Sequence, residues 1–323
     1  SMTIAASVLN PEAHSISGEE STITVWLSDN FHNPVPDGTT VNFTTEGGNI
    51  EASCSTVNGS CSVTWTSSEP RVANHRITIL ATALGHETFF DTNGNNIFDD
   101  ADGNPILDVG DNNDLNIDSG FGNYPAQASG FLDMSEAWRD DNENSIYDDG
   151  ETFIDFNEDG SFGTADSLFN GPQCEGVNCA DEAMRNINVR KSIRLVMASS
   201  GAEIRLTNGD NSIVYQDSLT GDSAPLNDVP NGGSQEFNFY FADTGTQNQT
   251  MPLGTTVDVA LSAGTLQGLT SFTVGNNNQE GFSQMNFFVI QDAGSTPQTA
   301  VLTITITSPN GFITSLTRSM ALL

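Results

Sequence analysis

Residues 24–50 read TVWLSDNFHNPVPDGTTVNFTTEGGNI, and residues 239–266 read FYFADTGTQNQTMPLGTTVDVALSAGTL. Laid over one another with a two-residue difference in the loop, they match Gly38-Thr39-Thr40-Val41 with Gly254-Thr255-Thr256-Val257. Phe43 falls on Val259, Gly48 on Gly264 and Ile50 on Leu266. In each, apolar residues alternate with polar ones on both sides of a turn bearing Pro and Gly, which is the period of a half-buried strand. A repeat of this kind predicts two successive domains of one type.

The same period runs through STITVWLSD, SCSVTWTSS and RITILATA in the first part, and through EFNFYFAD, MNFFVIQD and VLTITITS in the second. No long stretch has helical period. The fold class is therefore all-β, built as antiparallel β-sandwiches. At these residues the chain resembles a known family. SDNFHNPVPDGTTVNFTTEGGNI, followed by an Asn-Gly hairpin and ITILATALG, is similar to the bacterial Ig-like group 1 domain of invasin- and intimin-type surface proteins. The resemblance covers about residues 20–85, and more weakly about 230–310, where NPVP becomes QTMP. It implies two Ig-like antiparallel β-sandwiches in a tandem array on an exported bacterial protein, and it carries no catalytic residue.

The repeat also locates an insertion. RITILATALG reads as the penultimate strand of the first sandwich. The expected closing strand appears only at INVRKSIRLVMAS, where Ile187, Val189, Ile193, Leu195 and Met197 alternate. The expected organisation is an Ig-like sandwich over 1–200 carrying an inserted module at about 87–186 at one pole, then a second sandwich over 201–323. So long a loop needs something to organise it.

The inserted segment supplies a candidate. DDNENSIYDDGE places Asp140, Asn142, Asn144, Ile146, Asp148 and Glu151 at positions 1, 3, 5, 7, 9 and 12 of a twelve-residue loop. Side-chain oxygens at 1, 3 and 5, a main-chain carbonyl at 7, a direct or water-mediated ligand at 9 and a bidentate carboxylate at 12 are what Ca²⁺ takes. DTNGNNIFDDAD repeats the register with Asp91, Asn93, Asn95, Ile97, Asp99 and Asp102. DFNEDGSFGTAD repeats it with Asp155, Asn157, Asp159, Ser161 and Asp166, with Gly163 at position 9. The flanks match as well. Glu87, Glu136 and Glu151 lie four residues ahead of each loop, Phe89, Trp138 and Phe153 two ahead, and Phe98, Tyr147 and Phe162 hold position 8. Glu87, Glu136 and the 103–135 stretch are further candidate ligands. The loops resemble those of EF-hand-type and dockerin-like proteins, but TFI between Glu151 and Asp155 leaves no room for helices. Hard oxygen ligands without His or Cys point to calcium, about three ions, rather than zinc or copper, and Mg²⁺ wants a stricter octahedron.

The chain has 323 residues and a formal charge of −33. Between Glu87 and Glu182 lie 24 of its 42 acidic residues and one basic residue, Arg139. Such a balance excludes nucleic acid and an anionic membrane surface as partners. No apolar run is long enough to insert in a membrane, and no signal peptide is visible. Cys54 with Cys61, and Cys174 with Cys179, lack zinc-site context and read as two local disulfides of an oxidising compartment. The opening Ser-Met reads as a remnant of cloning, and the chain as a piece of a longer exported protein.

The four His residues are scattered and read as surface or loop positions. No Gly-x-Ser-x-Gly elbow stands out. GFGNYPAQASG, residues 120–130, lacks the setting of a phosphate loop. Trp26 and Trp65 read as core, and Trp138 as packed beneath the loops. The expectation is a non-enzymatic, calcium-binding, calcium-stiffened Ig-like rod at the cell surface or secreted. Its partners are neighbouring Ig-like domains of a longer chain and a host or surface glycan or protein. The alternative is a carbohydrate-binding accessory module of a secreted hydrolase, with Trp138, Tyr147 or Phe162 stacking on sugar.

Overall fold

The computed structural model describes residues 1–29, 32–107, 129–217 and 224–323. The 120–128 part of the stretch weighed as a phosphate loop, most of the 103–135 stretch, and Asn30 and Phe31 of the repeat lie outside the described residues. The described residues form two compact units. The first is Ser1–Ser7, Ser21–Thr66 and Ile77–Arg194; the second is Val8–Glu20, Ser67–Arg76 and Leu195–Leu323.

The first unit holds strands β1 (Met2–Ala6), β2 (Glu20–Leu27), β3 (Thr40–Thr45), β4 (Asn49–Ile50), β5 (Ser53–Ser55) and β6 (Ser60–Thr66). It continues with β7 (Arg76–Gly85), β8 (Phe89–Phe90), β9 (Pro105–Leu107), β10 (Gly130–Asp133) and β11 (Ile187–Val196). Sheets in the orders β1-β2-β6-β4 and β11-β7-β3-β5 form a sandwich. Alternation decides what lies inside it: Ile23, Val25 and Leu27 on β2, Val63 and Trp65 on β6, Val41 and Phe43 on β3, and Ile77, Ile79 and Ala81 on β7 are all buried. The Trp65 indole donates to the Gly47 carbonyl at 2.9 Å. A Cβ on Gly48 would stand 2.7 Å from that ring, which is why the turn before β4 carries glycine. Trp26, expected in the core, is 47% exposed. It sits between Val25 and Leu27 on a strand of period two, so it faces outward.

The second unit holds β12 (Ala202–Asn208), β13 (Ile213–Gln216), β14 (Ser234–Asp243), β15 (Thr256–Leu261) and β16 (Thr265–Gly268). After them come β17 (Ser271–Thr273), β18 (Ser283–Ile290), β19 (Gln298–Thr307) and β20 (Ile313–Leu322). Its sheets run β13-β12-β14-β18-β16 and β17-β15-β19-β20, around Phe237, Phe239, Phe241, Phe287 and the apolar faces of β15 and β19. The two sandwiches share one strand arrangement, to which the second adds the edge strand β13. Gly38 and Gly254 both have positive φ, +87° and +88°, and each donates its N–H across to the next strand segment, to Thr56 O at 2.8 Å and Val274 O at 2.9 Å. One member, His75, was expected on a surface and is instead buried, bonded to the buried Asp243 and stacked on His14 at 3.6 Å between ring centroids. Its partner comes from a strand far along the chain, which no local pattern reveals.

The correspondence also identifies the closing strands. β20 follows β19 after a short turn and lies beside it, whereas β11 lies beside β7 after everything between Gly85 and Ile187. Among the described residues there is no α-helix, and only one 3₁₀ turn, Glu182–Met184. The inserted residues reach back to the first sandwich. They lie against the outer face of the β11-β7-β3 sheet. Thr78 on β7 donates to Asp140 O at 2.9 Å, and Arg139 donates to Thr45 O at 2.7 Å. The fully buried Arg190 of β11 donates to Ser135 O at 2.8 Å and sits 5.2 Å from the Trp138 ring.

Candidate metal centre

Each of the three loops starts from the same local physics. An Asp at position 1 accepts the amides of positions 5 and 6, which wraps the chain around its carboxylate. Asp91, Asp140 and Asp155 accept the position-5 amide at 3.1, 3.0 and 3.1 Å. They accept the position-6 amide at 2.8 Å in every case. The position-3 side chain, Asn93, Asn142 or Asn157, accepts the position-5 amide at 3.0, 3.0 and 2.9 Å. Position 5, Asn95, Asn144 or Asp159, accepts the position-7 amide of Ile97, Ile146 or Ser161 at 2.8, 2.7 and 2.8 Å.

This wrap forces positive φ at positions 4 and 6, at Gly94 and Asn96, Glu143 and Ser145, and Glu158 and Gly160. Residues other than glycine rarely adopt that region, yet Asn96, Glu143, Ser145 and Glu158 all do, at φ near +60°. Position 9 meets positions 3 and 5. Asn93 and Asn95 lie 3.0 and 2.8 Å from Asp99 Oδ2, and Asn142 and Asn144 lie 2.8 and 2.7 Å from Asp148 Oδ2. These amides hold the Asp148 carboxyl, and the Ala101 and Asn95 donors hold the Asp99 carboxyl, below the usual carboxylate range. Among the described residues no three His, Cys, Asp or Glu side chains form a ready metal cluster. The donor set of these loops is mixed, with carboxylate, amide and carbonyl oxygens.

Closure is where the third loop departs from its own register. In the first, Asp102 accepts the amides of positions 2 and 9, Thr92 at 2.8 Å and Asp99 at 3.0 Å. In the second, Glu151 does the same for Asp141 at 2.9 Å and Asp148 at 3.0 Å. In the third, Asp166 was expected at this place, but it is exposed and accepts Leu168 N–H. Glu136 instead accepts Phe156 at 2.8 Å and Gly163 at 2.9 Å. Gly163 is glycine for a reason that the register alone does not give: a Cβ there would stand 3.3 Å from the Glu136 carboxyl carbon.

Asp166 has another place. It belongs to a fourth loop, assembled from three separate stretches. Asp133 accepts the amides of Asp166 at 3.1 Å and Ser167 at 2.9 Å, as a position-1 Asp accepts positions 5 and 6. Ser167 has φ of +66°, and Leu168 donates to Asp166 at 2.8 Å, as position 7 donates to position 5. Glu87 then accepts Met134 at 2.7 Å and Asn170 at 2.8 Å, as a closing carboxylate accepts positions 2 and 9. Burial pushes the Glu87 carboxyl up to about 9, and raises those of Asp133 and Glu151. A divalent cation reverses that electrostatic cost. Sequence reading missed this loop because its positions 2 and 5 are separated by the whole of loops two and three. The signal available was Phe131-Leu132-Asp133, the same aromatic-x-Asp step as Phe89-Phe90-Asp91, Trp138-Arg139-Asp140 and Phe153-Ile154-Asp155.

The four loops form two pairs. Trp138 and Phe153 make an antiparallel bridge, with Arg139 N–H to Thr152 O at 2.8 Å and Ile154 N–H to Ala137 O at 2.7 Å. β8 and β10 repeat this for the other pair, with Phe131 opposite Phe89. Beneath each pair the flanking aromatics meet. Tyr147 stacks on Phe162 with centroids 4.0 Å apart, while Phe98 and Phe169 lie 4.9 Å apart with Phe89 and Phe131 around them. Trp138 is packed, only 4% exposed. Both expected disulfides are present, Cys54–Cys61 and Cys174–Cys179. The second staples a turn whose Cys174 bridges Phe98 and whose Cys179 bridges Phe169. Positive charge arrives from the sandwich: Arg194 lies 3.6 Å from Asp140 and 3.5 Å from Glu143. No helix among the described residues is long and apolar enough to cross a membrane.

No protein-family profile matches the chain, and no curated protein matches it. Among solved structures, the chain is similar to the D0–D1 domain of intimin, at 9% identity over 98% of this chain and 97% of that one, with a TM-score of 0.24. It is similar to the Yersinia pseudotuberculosis adhesin InvE at 12% identity, covering 99% of this chain and 58% of that one, TM-score 0.26. A C-terminal 282-residue fragment of intimin, solved with the intimin-binding domain of the translocated intimin receptor, gives 12% identity, 98% and 63% coverage and a TM-score of 0.29. At such scores the fold assignment rests on the chain's own strands and registers: an all-β chain of two antiparallel β-sandwiches, the first interrupted by a module of four paired loops.

Proposed function

We propose that the inserted module binds calcium through its four loops, and that the bound ions hold it rigid against the first sandwich of a bacterial surface or secreted adhesion protein. The observation that carries this reading is the one-for-one repetition of the same wrap, with the same positive-φ positions, in three loops of different sequence, and its partial recurrence at Asp133 and Ser167. The donor set fits a hard divalent cation. Asp140, Asn142, Asn144, the Ile146 carbonyl, Asp148 and Glu151 would hold one ion, with corresponding sets in the first and third loops. Glu136 takes the closing place of the third. Asp133, Asp166 and Glu87 would serve the fourth. Bound calcium supplies charge neutralisation and cross-linking; no reaction is assigned to the module. The disulfides fit an oxidising, exported setting, and the resemblance at residues 20–85 suggests the surface role, with a protein or glycan as partner.

A sugar-binding face finds no support, since the aromatics proposed for it stack on one another or lie buried under the loops. A calorimetric titration of the full chain with calcium, paired with thermal melts, tests the reading. Saturable binding of about four ions at roughly 10⁻⁵ to 10⁻³ M, as in extracellular modules, with a rise in melting temperature, is expected. No binding heat and no shift would overturn it.

A further inference from the structure

We infer that the lead-in segments of the second and third loops exchange closing carboxylates, the lead-in of the third supplying Glu151 to the second and the lead-in of the second supplying Glu136 to the third, so that their two ions load as one cooperative unit. This rests on the calcium reading above. Glu151 stands four residues ahead of Asp155, the first ligand of the third loop, and Glu136 stands four residues ahead of Asp140, the first ligand of the second. Each closing group therefore sits on the segment that leads into the other loop.

The exchange is symmetric in its backbone as well. Glu151 N–H donates to Asp148 O at 3.1 Å, and Glu136 N–H donates to Gly163 O at 2.9 Å. The third loop has no closing group of its own, because Asp166 is committed to the fourth. The Trp138–Phe153 bridge and the stacked Tyr147 and Phe162 rings join the two halves. Fixing either closing carboxylate on an ion orders the segment leading into the partner loop. The second ion then meets a chain already ordered, which is positive coupling through shared conformational entropy.

The test follows each loop separately by NMR during a calcium titration of the full chain. The Gly160 amide reports the third loop and the Ser145 amide the second, since each donates to its loop's first Asp. In the wild type both signals should move together over one narrow calcium range. In Glu136→Gln, Gly160 should cease to respond, and Ser145 should need between about 5- and 150-fold more calcium, the usual span of coupling between sites. Gly163→Ala leaves every ligand in place and φ unstrained, but crowds Glu136. It should weaken the Gly160 response selectively while the Trp65 indole signal keeps its folded position. A Gly160 response in Glu136→Gln at wild-type calcium, or independent movement of the two signals in the wild type, would overturn the exchange while leaving calcium binding intact. Silence of both signals in the wild type would instead overturn the calcium reading, and the exchange with it.

Discussion

Phe98→Ala probes how far the loops depend on the small core beneath them. Phe98 is fully buried, with Phe131 and Phe169 each 4.9 Å away and Phe89 at 6.0 Å. Truncating a buried Phe costs about 3–5 kcal/mol, and lost edge-to-face pairs add about 0.5–1.5 kcal/mol each. The cluster has only four rings and one disulfide to share that loss. The first and fourth loops should therefore lose their order at calcium concentrations that still hold the wild type ordered. A single ion present at 100 times its dissociation constant returns about 2.7 kcal/mol, so two ions offset much of the cost. The variant should thus fold in excess calcium, melt earlier than the wild type at limiting calcium, and show weaker binding at the first and fourth loops only. Calorimetry and melts in both conditions give the readout. An unchanged melt and unchanged calcium affinity would show that these rings do not support the loops. Loss of the Trp65 core signal in calcium would show that the module and the sandwich fold as one.

Two further outcomes follow from particular groups. Burial and the nearby Asp141 carboxylate push Glu46 up to about 7. A carboxyl raised in the folded state favours folding below its ordinary value near 4.5, and that contribution is lost as pH rises through 7. In saturating calcium, the first unit should therefore melt lower at pH 7.5 than at pH 5, and Glu46→Gln should flatten the difference; an unaltered slope in that variant would place the cause elsewhere. Replacing Cys174 and Cys179 together by Ser releases a short loop worth about 2 kcal/mol. It should raise the calcium needed to protect the first and fourth loops, and alkylation of the unreduced wild type should find no free thiol.

The sandwiches were legible because their information is local. Period-two runs and the Gly-Thr-Thr-Val turns specify the strands, and the delayed closing strand carries its own alternation. The wraps of the contiguous loops were legible for the same reason, since their positions 1 to 9 lie side by side in the chain. What escaped was every feature built from distant segments. The fourth loop joins Glu87, Asp133 and Asp166 across the folded module. Glu136 closes a loop that begins well downstream of it, and Asp166, which fills the register position, faces another site. His75 is buried by Asp243, a residue of β14 with no sequence relation to it. Trp26 was misplaced by its residue type, although the alternation of its own strand already turned it outward.

Hydrogen exchange of the full chain, read by mass spectrometry with calcium and again in chelator, tests the central claim most directly. The account predicts that peptides of the described part of 87–186 are protected with calcium and exchange rapidly without it. Peptides of β2, β3 and β6, and those of the second unit, should stay protected in both conditions. Equal protection of 87–186 with and without calcium would contradict the claim that the ions organise the module.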